Sequence, residues 1–290
     1  MSTNYIINYF YNIFFSKISR DIIEKIILSV AIMSFFIHLF LIFLNNYQIF
    51  GTNINNELLK APLIAIYTPF SFVLLYEVYL LVFYLPKSFT FYLSKQYEII
   101  TLIVFRRFFK DISLVNIKDL NVRQFILSDF FLDLVAGLLM FLLLYIFKKN
   151  VSGNKTIINN DKNLNIFINQ KKFIAIILIP LFLLMALLSF SGWYHNFSVK
   201  TSSIINLNHI FFEDFFNILI FVDVVILLLS FFYEQDFHKI IRNSGFIIST
   251  IILRLSFGVT GFLNLILILC AILTGLVVLY IHNLFEKLKE

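Results

Sequence analysis

The sequence contains almost no cysteine, and this scarcity excludes several kinds of site. The only cysteine is Cys270, which lies inside an apolar run. One cysteine cannot form an intrachain disulfide, a thiolate zinc cluster or a thiolate-ligated iron–sulfur cluster. The histidines are His38, His195, His209, His238 and His282. They are scattered along the chain, and no two of them have the spacing of a close metal-binding pair on one helix. We therefore predict no metal ion and no other cofactor.

Charged residues are also scarce. They make up 14% of the 290 residues, whereas 60% of the residues are hydrophobic. An ordinary globular domain has about 25% charged residues and at most about 50% apolar ones. One soluble core could not enclose this much apolar surface, so we predict an integral membrane protein whose main partner is the lipid bilayer. The net charge of +6 fits lysine-rich cytoplasmic loops, and no nucleic-acid partner is predicted.

Long apolar runs divide the chain into predicted membrane-spanning helices. Six runs come close to the roughly 20 apolar residues that a helix needs to cross a bilayer. They cover residues 22–44, 61–85, 125–147, 173–190, 210–232 and 260–281. Two shorter runs, 97–109 and 245–257, each carry arginine late in the run. Together these patterns predict an all-α polytopic membrane protein.

The elements occur in the same order on both sides of a polar, lysine-rich linker at 148–172. Each half has a long span, a long span with one acid, a short run with arginine, and another long span. The acids are Glu77 and Asp223, and the arginines Arg106 and Arg254 recur at nearly the same offset. This favours an internal duplication, as in many transporters. We predict an N-terminal interfacial segment at 1–21, a first repeat at 22–147, a cytoplasmic linker at 148–172 and a second repeat at 173–290.

The number of crossings depends on the two short runs. If both cross, the chain has about eight spans in two parallel four-helix repeats, and the third helix extends over roughly residues 94–114. If neither crosses, it has six spans plus two short interfacial or re-entrant helices. The eight-span arrangement puts more of the lysines and arginines, including those of the linker, on one side, so the positive-inside rule favours it. It places both termini in the cytoplasm, and we predict a bacterial inner membrane as the location.

Acids and arginines inside the apolar runs are the first candidate functional residues. A charge near the bilayer centre costs at least about 2.5–3.5 kcal/mol on insertion scales, so such charges are expected to be paired. The helical rise places the acid and the arginine of each half at similar depth on consecutive antiparallel helices. The sequence therefore predicts a Glu77–Arg106 pair and an Asp223–Arg254 pair.

A second polar group is predicted where Asp129 and Asp133, four residues apart, share one helical face. Their estimated depth is close to that of Arg107. All these charges have two interpretations: a polar path for an ion, a proton or an anionic substrate, or structural clamps between apolar helices. For Asp129 and Asp133, extension of the side chains toward the outer interface is a further alternative.

Three functions compete at this point. Paired intramembrane charges and the duplication favour a transporter or a channel. The alternative is a non-catalytic subunit or anchor of a larger complex, which associates with itself or with a partner protein in the membrane. An intramembrane enzyme acting on lipid is disfavoured, because the sequence has no HExxH motif, no acid-rich metal motif and no serine–histidine pair of suitable spacing. We expect the protein not to be an enzyme.

Overall fold

The computed structural model describes residues 3–47, 59, 62–114, 128–151, 162–198, 207–259 and 261–288. Within these ranges the regular secondary structure is all helical, with no strands, as predicted. The α-helices are α1 (Thr3–Phe15), α2 (Lys17–Asn46), α3 (Tyr67–Phe83), α4 (Phe89–Leu114), α5 (Asp129–Val151), α6 (Lys162–Ser198), α7 (Leu207–Phe231), α8 (Phe237–Leu255) and α9 (Gly261–Lys287). Short 3-10 helices, Pro62–Ile66 and Ser256–Gly258, precede α3 and follow α8.

Seven of the described helical stretches are long and apolar enough to cross a membrane. They are Tyr5–Asn46, Pro62–Phe83, Asp129–Val151, Leu164–Met185, Asp214–Phe231, Phe237–Gly258 and Gly261–Lys287. These lengths and compositions indicate an integral membrane protein. Helix α4 is not among the seven, because its sequence contains six charged residues.

Several predicted boundaries differ from the observed helices. The run 97–109 is part of α4, which has 26 residues, and the run 245–257 is part of the stretch Phe237–Gly258. Both runs therefore belong to helices longer than the runs themselves, and α4 also extends beyond the predicted range of 94–114 at its start. The polar segment 148–172 contains the end of α5 and the start of α6, while 152–161 lies outside the described residues. The Ser16 hydroxyl accepts a hydrogen bond from the Ser19 N–H and caps α2, which begins at Lys17.

Antiparallel pairs form the centre of the bundle, with α4 packed on α5 and α8 packed on α9. Helices α5 and α9 run parallel to each other. At their starts, Gly261 lies beside Asp129, and at their ends the Asn283 amide donates to the Asn150 carbonyl at 3.3 Å. On the outside, α3 packs against α2 and α4, and α7 packs against α6 and α8.

One end of the bundle gathers the starts of α2, α4, α6 and α8 and the ends of α3, α5, α7 and α9. Contacts across this end join Arg20 to Phe83, Lys171 to Lys87, Lys148 to Glu98, Phe167 to Tyr233, and His238 to Glu286. We call it the basic end, because most lysines of the described helices lie there. From α2 to α9 the helices thus alternate in direction.

Glycine allows the close approach of α8 to α9. A Cβ atom at Gly245 would lie 2.5 Å from Cγ2 of Val278, which is too near for any side chain. Small residues at helix interfaces in membranes let backbones approach in this way, and dispersion contacts then supply much of the association energy. The close packing of α8 against α9 therefore requires glycine at position 245.

Alanine at Gly245 is the first testable change. We expect Gly245→Ala to lower the free energy of unfolding by about 1–2 kcal/mol, because the stiff, β-branched Val278 must move. Denaturant titration of the protein in detergent would measure this. Gly258→Ala is the control, since nothing lies within 4 Å of a Cβ atom there. Adding Val278→Ala should restore part of the loss, and equal stability of Gly245→Ala and wild type would contradict the prediction.

Candidate functional site: ion pairs around helix α4

Helix α4 brings polar side chains into the centre of the bundle. Tyr92, Gln96, Ile100 and Ile103 recur every three or four residues and are buried, so they share one helical face with Arg107. This face mixes apolar and polar groups, and the polar groups reach partners on several neighbouring helices. The candidate site is therefore a set of contacts around α4.

The most deeply buried contact joins α7 and α8. The Arg254 Nη1 atom lies 2.7 Å from Asp223 Oδ2, and both side chains are 0% exposed. The hydroxyl groups of Tyr92 and Thr250 each donate to the Asp223 carboxylate at 2.8 Å. Arg254 Nη2 donates to the Tyr92 hydroxyl at 3.2 Å and to the Gln96 side-chain carbonyl at 3.3 Å. Through Tyr92 and Gln96, this pair also contacts α4.

A second acid–arginine contact joins α3 and α4. Arg106 Nε lies 3.3 Å from Glu77 Oε2, and the two side chains are 13% and 4% exposed. Arg106 Nη1 also donates to the backbone carbonyl of Phe70 on α3 at 3.1 Å. The longer distance and greater exposure make this a looser pair than Asp223–Arg254.

Arg107 makes a third ion pair, between α4 and α5. Its Nε and Nη2 atoms donate to the two carboxylate oxygens of Asp133, a bidentate arrangement that is stronger than a single contact. Nη2 also donates to the side-chain carbonyl of Asn264 on α9 at 2.7 Å, and the guanidinium lies 5.8 Å from the centroid of the Phe257 ring. Asp129 is exposed in the first turn of α5. Arg107 therefore pairs with only one of the two aspartates that were predicted near its depth.

Several buried polar residues of the site were not predicted from the sequence. Lys171 was assigned to the cytoplasmic linker, yet it is 2% exposed. Its ammonium group donates to the Lys87 carbonyl at 3.0 Å. The same group lies 4.2 and 4.7 Å from the ring centroids of Phe89 and Phe167. The spacing of Phe167 and Lys171, four residues apart at the start of a helix, is the signal that could have found this contact.

Tyr97 is the second such residue, and it connects α4 with α8 and α9. Its hydroxyl lies 2.5 Å from the Ser249 hydroxyl, which in turn donates to the Ala271 carbonyl at 2.5 Å. Tyr97 is 0% exposed, and its ring packs edge-on against Phe147. A tyrosine in an apolar run has no sequence feature that identifies its partner, so this connection required the structure.

The arrangement favours charge compensation over metal or cofactor binding. Each of the carboxylates Glu77, Asp133 and Asp223 has an arginine beside it, and a guanidinium repels a metal cation. The candidate site is a series of ionisable and hydroxyl groups inside an apolar bundle. Comparison with protein-family models, with curated proteins and with solved structures finds no match for this chain.

Proposed function

We propose that the protein is a membrane transporter or channel that moves an ion, a proton or an anionic substrate along the ion pairs around α4. The observation that carries the proposal is the recurrence of an acid–arginine pair on α3 and α4 and again on α7 and α8. Ionisable residues inside a membrane protein are costly, and they commonly mark ion and proton pathways. Helix α4 contacts both pairs, one through Tyr92 and Gln96 and the other through Arg106, and the proposed route follows this helix.

The proposed architecture has eight crossings, α2 to α9, in two related halves. Helix α4 would be the crossing with the most charge. Its 26 residues extend about 39 Å at 1.5 Å per residue, which exceeds the hydrocarbon thickness of about 30 Å. Its arginines contact protein partners on α3, α5 and α9, which would offset the cost of placing them in the membrane.

Parallel orientation of the two halves has further support. The acid-bearing helix packs on the arginine-bearing helix in both halves, and α5 and α9 have the same direction. An axis along the membrane normal would relate halves of this kind, which is one of the two common repeat arrangements in transporters. The proposed architecture includes both the internal duplication and a membrane crossing by α4.

The basic end is proposed to face the cytoplasm. Its basic residues include Lys17, Arg20, Lys87, Lys95, Lys148, Lys149, Lys172, Lys239 and Arg242. Positive charge beside the ends of membrane helices is retained on the cytoplasmic side. Both α2 and α9 have a terminus at this end, so the two chain termini would also be cytoplasmic, in a bacterial inner membrane.

A flux measurement tests the transport proposal. We expect the Glu77→Gln, Asp223→Asn double variant, reconstituted in proteoliposomes, to lose flux down to the level of protein-free vesicles. The flux of H⁺ and of Cl⁻ would be measured with dyes sensitive to each ion. A K⁺ gradient would set the membrane potential during the measurement. Asp129→Asn is the control, because Asp129 is exposed at the start of α5 and should leave flux unchanged. Normal flux in the double variant, at normal incorporation into the vesicles, would rule the route out.

A non-catalytic membrane subunit is the second candidate. The observation in its favour is the exposure of α2, whose large apolar side chains include Ile22, Ile26, Met33, Phe36 and Phe40, each more than half exposed. Within the described chain, the stretch containing α2 is the least buried of the seven candidate spans. A partner protein seated on α2 would then copurify at a fixed ratio, whereas flux by the isolated protein would argue against this role.

A further inference from the structure

A cluster of histidine and carboxylate side chains lies at the basic end, apart from the ion pairs around α4. His238 is in the first turn of α8, and His282 and Glu286 are four residues apart near the end of α9. The antiparallel packing of α8 on α9 brings them together. His238 Nε2 lies 2.8 Å from Glu286 Oε1, and His282 Nε2 lies 4.0 Å from the same oxygen. The two imidazole rings are stacked, with centroids 5.3 Å apart.

The cluster is sheltered but open to one side. The side chains of His238 and His282 are 8% and 6% exposed, while that of Glu286 is 43% exposed. An open pocket of about 70 Å³ adjoins them, with Phe237, Ile241 and Phe285 among its lining residues. A small ion could therefore reach the imidazole nitrogens through this opening at the basic end without a change in helix packing.

We propose that His238, His282 and Glu286 bind one divalent transition-metal ion, such as Zn²⁺. One donor atom from each residue lies within 4.8 Å of the other two. Zinc–nitrogen and zinc–oxygen distances are about 2.0–2.2 Å, so ligands on one ion can be up to about 4.4 Å apart. Small side-chain rotations would satisfy this limit. Two imidazoles and one carboxylate suit first-row transition ions better than Ca²⁺ or Mg²⁺.

Arg242 regulates this site by competing with the ion. Its Nη1 atom lies 3.0 Å from His282 Nε2, so the guanidinium donates to the lone pair that a metal would use. The same guanidinium also donates to the Asn243 side-chain carbonyl and interacts electrostatically with Glu234 and Glu286. Metal binding requires Arg242 to move away, toward Asn243 and Glu234. The arginine therefore lowers the affinity of the site for a cation.

Metal titration of the full-length protein tests the proposal. The protein, free of any polyhistidine tag and held in detergent, would be titrated with Zn²⁺ against a coloured chelator and with Co²⁺ by visible absorption. We expect one ion per chain for wild type, and loss of that ion in His238→Ala and in Glu286→Gln. Arg242→Gln should bind Zn²⁺ at least about tenfold more tightly, since a positive charge next to the ion is removed. His38→Ala is the control, because His38 contacts Thr68 on α3 instead.

Two results would overturn the proposal. One is Zn²⁺ uptake by wild type no greater than that of Glu286→Gln, a variant at a partly exposed position that should fold normally. The other is weaker Zn²⁺ binding in Arg242→Gln, which would mean that the arginine supports the site. Because this site and the acid–arginine pairs share no residue, the measurement stands whether or not Glu77 and Asp223 carry flux.

Discussion

Arg254→Met is expected to lower the free energy of unfolding by about 3–5 kcal/mol, because it removes one partner of a buried ion pair. Asp223 would remain fully buried, with the Tyr92 and Thr250 hydroxyls still donating to its carboxylate. Two neutral donors do not balance a full negative charge in an apolar interior. Denaturant titration in detergent, followed by circular dichroism, would measure the loss.

The double variant Asp223→Leu, Arg254→Met separates charge from volume. Replacing both partners of a buried pair with apolar side chains is often neutral, so the double variant should regain most of the stability lost in Arg254→Met. Arg20→Met is the control: Arg20 pairs with its neighbour Asp21 at a partly exposed position and lies over the Phe83 ring, so its loss should cost about 1 kcal/mol, well below the loss in Arg254→Met. A double variant as unstable as the single one would mean that the pair does not work through charge compensation.

Gly275→Val is expected to destabilise the protein by about 3 kcal/mol, at the upper end of the usual cost of overpacking. A Cβ atom at this position would lie 2.0 Å from the Tyr97 hydroxyl oxygen and 3.1 Å from Cζ of the same ring. Tyr97 cannot move aside easily, because its ring packs against Phe147 and its hydroxyl contacts Ser249. Thermal unfolding of the purified protein would report the change.

Tyr97→Phe provides the compensating change for Gly275. Removing the hydroxyl takes away the atom nearest to the new Cβ, so Gly275→Ala combined with Tyr97→Phe should be more stable than Gly275→Ala alone. The comparison uses alanine because its single methyl tests the nearest contact without filling further space. If the effects of the two changes on stability were additive, the clash between α4 and α9 would not be the cause of the lost stability.

Depth along a helix axis can be predicted from the sequence, and lateral contacts cannot. Counting residues from the end of an apolar run puts Glu77 at a depth similar to that of Arg106, and Asp223 at a depth similar to that of Arg254, because every residue advances the helix by the same rise. Both pairs are in contact in the structure. The same count placed both Asp129 and Asp133 near the depth of Arg107. The choice of Asp133 depends on the rotation and packing of α5 against α4, which hydrophobic patterns do not specify.

Helix boundaries and polar contacts between distant segments also could not be predicted from the sequence. Charged residues interrupt the apolar pattern of α4, so only residues 97–109 were recognised as an apolar run. The helix itself starts at Phe89. Lys171 has a loop-like sequence context, and its burial comes from the rings of Phe89 and Phe167. His238 and His282 are distant in the sequence, and only the antiparallel packing of α8 and α9 brings them together.

The charge on α4 has a consequence for biosynthesis. Insertion machinery releases a segment into lipid according to its apolarity, and each arginine or lysine near the middle costs about 2.5–3.5 kcal/mol. In the proposed eight-crossing arrangement, α4 carries Arg106 and Arg107 and could not be retained in lipid by itself. Its acidic partners lie on α3, made just before it, and on α5, made just after it. We expect α4 to leave the translocation channel only together with one of these neighbours, as half of a helical hairpin.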